Sequence, residues 1–115
     1  RLLLRTDGFA SLHAGWAGGE AITRPLIFSG AALEINYRTS AAGLVRVEIQ
    51  DAEGTPVPGY GIDDCQEIIG DEVQREVAWK RGSGVSELAG RGIRLRFCLK
   101  DADLYSFKFN GENLP

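Results

Sequence analysis

Apolar and polar residues alternate strictly along several stretches of this chain. Leu33, Ile35 and Tyr37 alternate with Glu34, Asn36 and Arg38, and Val45, Val47 and Ile49 with Arg46, Glu48 and Gln50. Ile93, Leu95, Phe97 and Leu99 alternate with Arg94, Arg96, Cys98 and Lys100. A period of two places one set of side chains on a packed face and the other in water, so each stretch predicts a β-strand. A further strand is expected over 104–109, with Tyr105, Phe107 and Phe109 sharing a face. Shorter extended runs fall at 2–5, 9–14, 20–24, 26–28 and 75–79.

Turn residues separate these runs. Asp7-Gly8 is a hairpin-type pair, and the Gly-rich stretch 15–19 holds Trp16. Residues 39–43 read as a hairpin turn, and 51–54 as another. Pro25 stops one run, while Pro56 and Pro58 keep their stretch out of a central strand. Residues 59–74 are the least regular part, and 64–69 fits either a short helix or a loop. A turn follows at 80–84, then one helical turn at 86–88. Asp101 and Asp103 sit between two patterned strands and read as a turn that caps its own backbone.

The pattern gives eight or nine short strands and no helical stretch of ten residues. A sheet needs a second layer over its apolar face. The expected fold is therefore all-β: a two-sheet antiparallel β-sandwich of jelly-roll or immunoglobulin-like topology. Its core should take Leu33, Ile35, Tyr37, Val45, Val47, Ile49, Leu95, Phe97, Tyr105 and Phe107.

Composition narrows the class. The chain has 115 residues, 43% of them hydrophobic and 25% charged, which suits one globular domain over 1–115. At this length about two-thirds of the unfolded surface is buried on folding. Methionine is absent, even at position 1, so the chain reads as a C-terminal part of a larger soluble protein whose preceding domain is its partner. The run Leu2-Leu3-Leu4 is too short for a signal core or a membrane span. A formal charge of −3 gives no support for nucleic acid as a partner. The pattern names no cellular compartment.

The candidate chemistry is sparse. Cys65, Cys98 and His13 are the only thiols and imidazole, too few for a structural zinc site. A Cys65–Cys98 bridge and two buried thiols both fit. Six acids and one base lie between 63 and 76, without the spacing of a calcium loop. No metal or other cofactor is expected. Ser11 and His13 are two apart, with no orienting acid nearby in sequence, which falls short of a nucleophilic site. Trp16, Tyr60 and Trp79 are the candidates for stacking on a sugar ring, Trp79 also reading as a core residue at a strand end. Arg46, Glu48, Arg94 and Arg96 should form cross-strand ion pairs on a wet face.

Five stretches carry a family resemblance: LRTDGFASLHAG at 4–15, TRPLIFSG at 23–30, LEINYRTSAAGLVRVEIQDAEGTPVPGY at 33–60, DCQEIIGDE at 64–72 and LAGRGIRLRFCLKDADLYSFKF at 88–109. Together they resemble the C-terminal β-sandwich region of bacterial glycosyl hydrolases of the sucrose- and fructan-cleaving, invertase-like type. In that family a preceding β-propeller holds the catalytic carboxylates. Its nucleophile motif is missing here, and Asp64-Cys65, in the wrong order and surroundings, does not match its Glu-Cys acid/base pair, so no catalytic residue carries over. The resemblance implies a non-catalytic accessory domain that packs on and stabilises a glycosidase-like catalytic domain. A carbohydrate-binding module with a glycan partner, and a structural or oligomerising sandwich, are the alternatives. Around residues 23–28, the short runs hold Ile22, Leu26, Ile27 and Phe28, with only Pro25 as protection. Some of these should pack inside, and Leu26 or Phe28, if it points outward, should mark a surface that a partner covers.

Overall fold

The computed structural model describes residues 2–4, 12–15, 18–80, 82 and 84–110. Among them are β1 (Leu2–Leu4), β2 (Leu12–Ala14), β3 (Gly19–Thr23), β4 (Ala32–Asp51), β5 (Asp71–Glu76) and β6 (Ile93–Asn110), with a 3₁₀ turn at Ser86–Leu88. All six strands belong to one sheet in the order β1-β3-β6-β4-β5, and β2 pairs with β6 beyond the end of β3. The middle four, β3-β6-β4-β5, are antiparallel throughout, and β1 adds to β3 in parallel.

This corrects the expected sandwich. There is one open sheet with β1 and β5 as its edges, not two stacked sheets, and neither jelly-roll nor immunoglobulin-like topology. The reason lies at two places read as turns. Thr39 pairs with Ala102 and Leu44 pairs with Lys100. Residues 40–43 therefore stand opposite Asp101 alone. Both apparent turns are the two sides of one bulge inside a continuous ladder. What looked like separate strands, free to join different sheets, are halves of the 20-residue β4 and the 18-residue β6.

Two details make the bulge possible. Asp101 has φ of 44°, the left-handed region that Asp tolerates better than most residues. A Cβ on Gly43 would lie 2.3 Å from the Asp101 carbonyl oxygen and 2.5 Å from that of Lys100, so only glycine fits. The bulge also changes parity along β6: Leu95, Phe97 and Leu99 are buried before it, Ala102 and Leu104 after it. A second irregularity, where Asn36 pairs with Ser106 but Tyr37 with Leu104, returns the inward side to Phe107 and Phe109. It leaves Tyr105 outside at 37% exposure, against the expectation that Tyr105 faces the core.

A straight 20-residue strand would run about 66 Å, yet the longest extent of the molecule is 41 Å. The β4–β6 pair must bend. The rings of Phe97 and Phe107 meet at 5.4 Å between centroids although ten residues separate them along β6. Apolar residues from both halves join one core, with Trp79, Tyr60, Ile68, Val77, Val85 and Leu88 from the connecting segments filling the rest. Eight of the ten expected core residues are buried, and Phe107 is half-buried.

The connecting segments also complete the backbone hydrogen bonding. Val45, Val47 and Ile49 turn their N–H and C=O groups away from β6. Val45 exchanges both bonds with Ile68, at 2.9 and 3.0 Å. The Ile49 N–H donates to the Tyr60 carbonyl at 3.0 Å, and the Ile49 carbonyl accepts from Val57 at 2.9 Å. At Val47 side chains take over. Its N–H donates to Cys65 Sγ at 3.3 Å, and its carbonyl accepts from Trp79 Nε1 at 2.9 Å. On the other side of the sheet, Thr23 Oγ1 accepts the Leu95 N–H at 2.9 Å. Buried backbone groups need such partners.

The strand expected over 75–79 is displaced: β5 ends at Glu76, and Trp79 instead bridges to Cys65 and Gly82. No helix among the described residues is long and apolar enough to cross a membrane.

Candidate interaction surface

The polar face of the sheet is cross-linked rather than open. Glu48 pairs with Arg96 in register, and their side chains meet at 3.4 Å, as the pattern predicted. The other Glu48 oxygen accepts the Ile62 N–H at 3.2 Å, and Gln50 Nε2 donates to Glu48 at 2.8 Å. Arg96 Nε donates to Glu20 at 2.7 Å. Arg46 binds Glu67 at 2.6 Å, and Arg94 donates to the Ala52 and Thr23 carbonyls. The Glu48 side chain is only 5% exposed, so this network ties β3, β6, β4 and the 61–64 segment together.

Both cysteines are free thiols. Burial pushes the Cys65 thiol above its ordinary value, against the opposing pull of the Val47 N–H. Burial likewise raises Cys98, in spite of the nearby Arg96 charge. Each is a protonated thiol at neutral pH, the unreactive form.

Of the sugar-stacking candidates, Tyr60 and Trp79 are both fully buried. They meet edge to face at 5.3 Å. The Tyr60 hydroxyl donates to the Gly84 carbonyl at 3.0 Å and also lies 3.0 Å from Glu87. Neither ring presents a face to solvent. Trp16 lies outside the described residues. The Asp101–Asp103 pair lies within β6 at the bulge, not in a turn, beside a polar groove of about 250 Å³ that Arg38, Thr39 and Ser40 also line. His13 stands opposite Asp103 in register. Among the described residues no group of three His, Cys, Asp or Glu is placed to hold a metal ion.

One feature of the surface is apolar. After Pro25 the chain crosses the end of the sheet, where Leu26 exchanges backbone bonds with Ile93 at 2.7 and 2.8 Å. The Phe28 ring stacks on Phe109 at 4.0 Å. Between them Ile27 points out and is 72% exposed. The result is an open groove of about 340 Å³, with Leu26, Ile27 and Phe28 on one side and Phe107, Lys108 and Phe109 on the other. Here the connecting segments stop short of covering the apolar face, so Phe107 and Phe109 stay half-buried. The sequence had singled out Leu26 and Phe28 as outward candidates. The outward residue is Ile27, because Leu26 and Phe28 are held by Ile93 and Phe109.

No family model, no curated protein and no solved structure matches the chain. The invertase-like resemblance carried the expectation of a sandwich, which the single open sheet overturns. The glycosidase, hydrolase and carbohydrate-binding reading that came with it finds no relative behind it and is withdrawn.

Proposed function

We propose that this chain is a non-catalytic interaction module that docks on another polypeptide through the groove between residues 26–28 and the end of β6. The observation that carries this reading is Ile27, 72% exposed above half-buried Phe107 and Phe109. Scattered surface apolar residues are ordinary, but an aliphatic residue continuous with an incompletely covered core is the kind of patch that a partner buries. The other reactive side chains support the reading through what they already do. Both Glu48 oxygens are engaged, and the two thiols hold their protons.

Selection of a displayed random-peptide library on the immobilised chain tests this reading. The expected result is a consensus containing a large apolar residue, whose binding is lost in Ile27→Asp. Peptides that bind the Ile27→Asp variant equally well would refute the assignment.

A further inference from the structure

The groove between residues 26–28 and the end of β6 has a basic border. Arg24 lies just before Pro25 on the segment that forms one wall. An extended chain advances about 3.3 Å per residue, so Arg24 stands within about 10 Å of Ile27. Arg91 approaches the same wall from the other side, because the N–H of its neighbour Gly90 bonds the Phe28 carbonyl at 3.1 Å. Both arginines are exposed, and neither forms an ion pair among the described residues. Lys108 lines the opposite wall, with a loose contact to Glu34 at 3.9 Å.

Of the acids at this end of the sheet, three are engaged within the chain. The Glu34 side chain is only 14% exposed. The Asp51 carboxylate accepts the N–H groups of Glu53 and Thr55, at 2.9 and 3.0 Å. Glu87 lies 3.0 Å from the Tyr60 hydroxyl. Exposed Glu53 is then set against exposed Arg24 and Arg91. The border is basic although the whole chain carries a formal charge of −3.

The backbone of the wall is also open. Leu26 exchanges both of its bonds with Ile93, which turns the N–H and C=O of Ile27 away from β6. Those two groups bond no described residue. An apolar groove beside an unpaired strand edge is what an extended peptide adds to: main-chain bonds hold it, and side chains entering the groove select it. A lipid surface would use the cations but neither the backbone groups nor the channel between two walls.

Resting on the docking reading above, we infer that the groove takes an extended acidic segment of another polypeptide. One large apolar side chain of that segment seats between Ile27 and Phe109. Carboxylates on either side of it reach Arg24 and Arg91, and its backbone bonds the Ile27 N–H and C=O. The apolar residue supplies the affinity, while the acids choose the partner and its register. Binding of this kind weakens with salt.

The test is fluorescence anisotropy with three labelled synthetic peptides that share a central Leu-Phe-Leu and are flanked by Asp and Glu, by Ser, or by Lys. Each is titrated with wild type, with Ile27→Asp and with the double variant Arg24→Glu, Arg91→Glu, at low and high salt. All three side chains are exposed, and each variant is checked for a native far-UV spectrum. The acidic peptide should bind wild type best of the three, with a Kd at or below about 1 mM. It should bind the double variant about tenfold more weakly, the size expected for two exposed ion pairs reversed in sign. The double variant should instead prefer the Lys-flanked peptide, and Ile27→Asp should bind none of them. If the Ser-flanked peptide binds wild type as well as the acidic one, the acidic partner is overturned and the docking reading stands. Acidic-peptide binding that persists in Ile27→Asp is binding by charge alone and removes the groove from both readings. If no peptide binds at about 1 mM, the inference is overturned and the library selection decides the docking reading. Cosedimentation of wild type with phosphatidylserine–phosphatidylcholine vesicles, lost in the double variant and without any peptide preference, overturns it in favour of a lipid surface.

Discussion

Replacing Gly43 by alanine adds one methyl group at a backbone position with no room for it. That carbon would sit 2.3 Å from the Asp101 carbonyl oxygen, 2.5 Å from that of Lys100 and 3.0 Å from the Asp101 carbonyl carbon. Carbon–oxygen contacts ordinarily begin near 3.3 Å, so about 1 Å must be recovered. No flexible side chain can supply it, because every clashing atom is backbone of β6. The ladder must part locally between Leu44–Lys100 and Thr39–Ala102. Overpacking in a fixed core costs about 1–3 kcal/mol, and a weakened ladder bond adds about 1 kcal/mol. The expected loss is about 3 kcal/mol, a large share of the roughly 6–17 kcal/mol that a chain of this length holds. With a urea slope of about 1.5 kcal/mol/M, the unfolding midpoint should fall by about 2 M. Gly84→Ala is the control, since nothing lies within 4 Å of its added carbon. Urea titrations followed by far-UV circular dichroism decide the matter. Equal midpoints for Gly43→Ala and wild type, or equal losses for both variants, would refute the reading of residues 40–43 as a bulge closed by glycine.

Glu48→Ala should cost about 2 kcal/mol, because it strands the Ile62 N–H and one contact of Arg96, while Glu20→Ala on the more exposed end of the same network should cost under about 1 kcal/mol. Urea midpoints of the two variants check the order. Trp79→Phe keeps an aromatic ring but leaves the buried Val47 carbonyl without its donor, for an expected loss of about 2 kcal/mol, read from the urea midpoint. Because burial raises the Cys65 and Cys98 thiols, the folded chain holds those protons at a pH where the unfolded chain has released them. Stability from this source is fully present below the unfolded thiol value of about 9 and is lost as pH rises through the higher folded values. Thermal midpoints should fall above pH 9 in wild type and fall less in Cys65→Ala.

The strands with strict alternation were legible because a period of two survives any arrangement of sheets. Leu33 to Tyr37, Val45 to Ile49 and Ile93 to Leu99 all put their odd residues inside. Sheet number was not legible, because Thr39-Ser40-Ala41-Ala42-Gly43 and Asp101-Ala102-Asp103 have turn composition, and a bulge asks for the same small and polar residues as a turn. Only the register of one against the other separates the two cases. Tyr105 was misplaced for a related reason: the second irregularity of β6 falls beside it, and nothing local in Leu104-Tyr105-Ser106 announces the shift. Tyr60 and Trp79 have flat aromatic faces that suggested sugar stacking, but both rings are buried together with their polar atoms. Those atoms satisfy Gly84, Glu87 and Val47, partners 24 to 32 residues away in sequence. The outward turn of Ile27 was half legible, since Pro25 marked the break but could not say which neighbour Phe109 and Ile93 would claim.

The long ladder between β4 and β6 also sets the order of events when the chain folds. Its paired residues are 42 positions apart at Asp51–Ile93 and 78 apart at Ala32–Asn110. Contacts of such separation must overcome a large loop-closure entropy before any of them is rewarded, which places the domain among slow, millisecond-to-second folders. The opposite edge of β4 finds its partners much sooner, at Val57, Tyr60, Cys65 and Ile68. A nascent chain that has emerged as far as Trp79 already holds every group needed to close that edge. The other edge of β4 then waits unpaired for β6, and a long unpaired strand edge is open to aggregation in the interval between residue 79 and residue 110 leaving the ribosome.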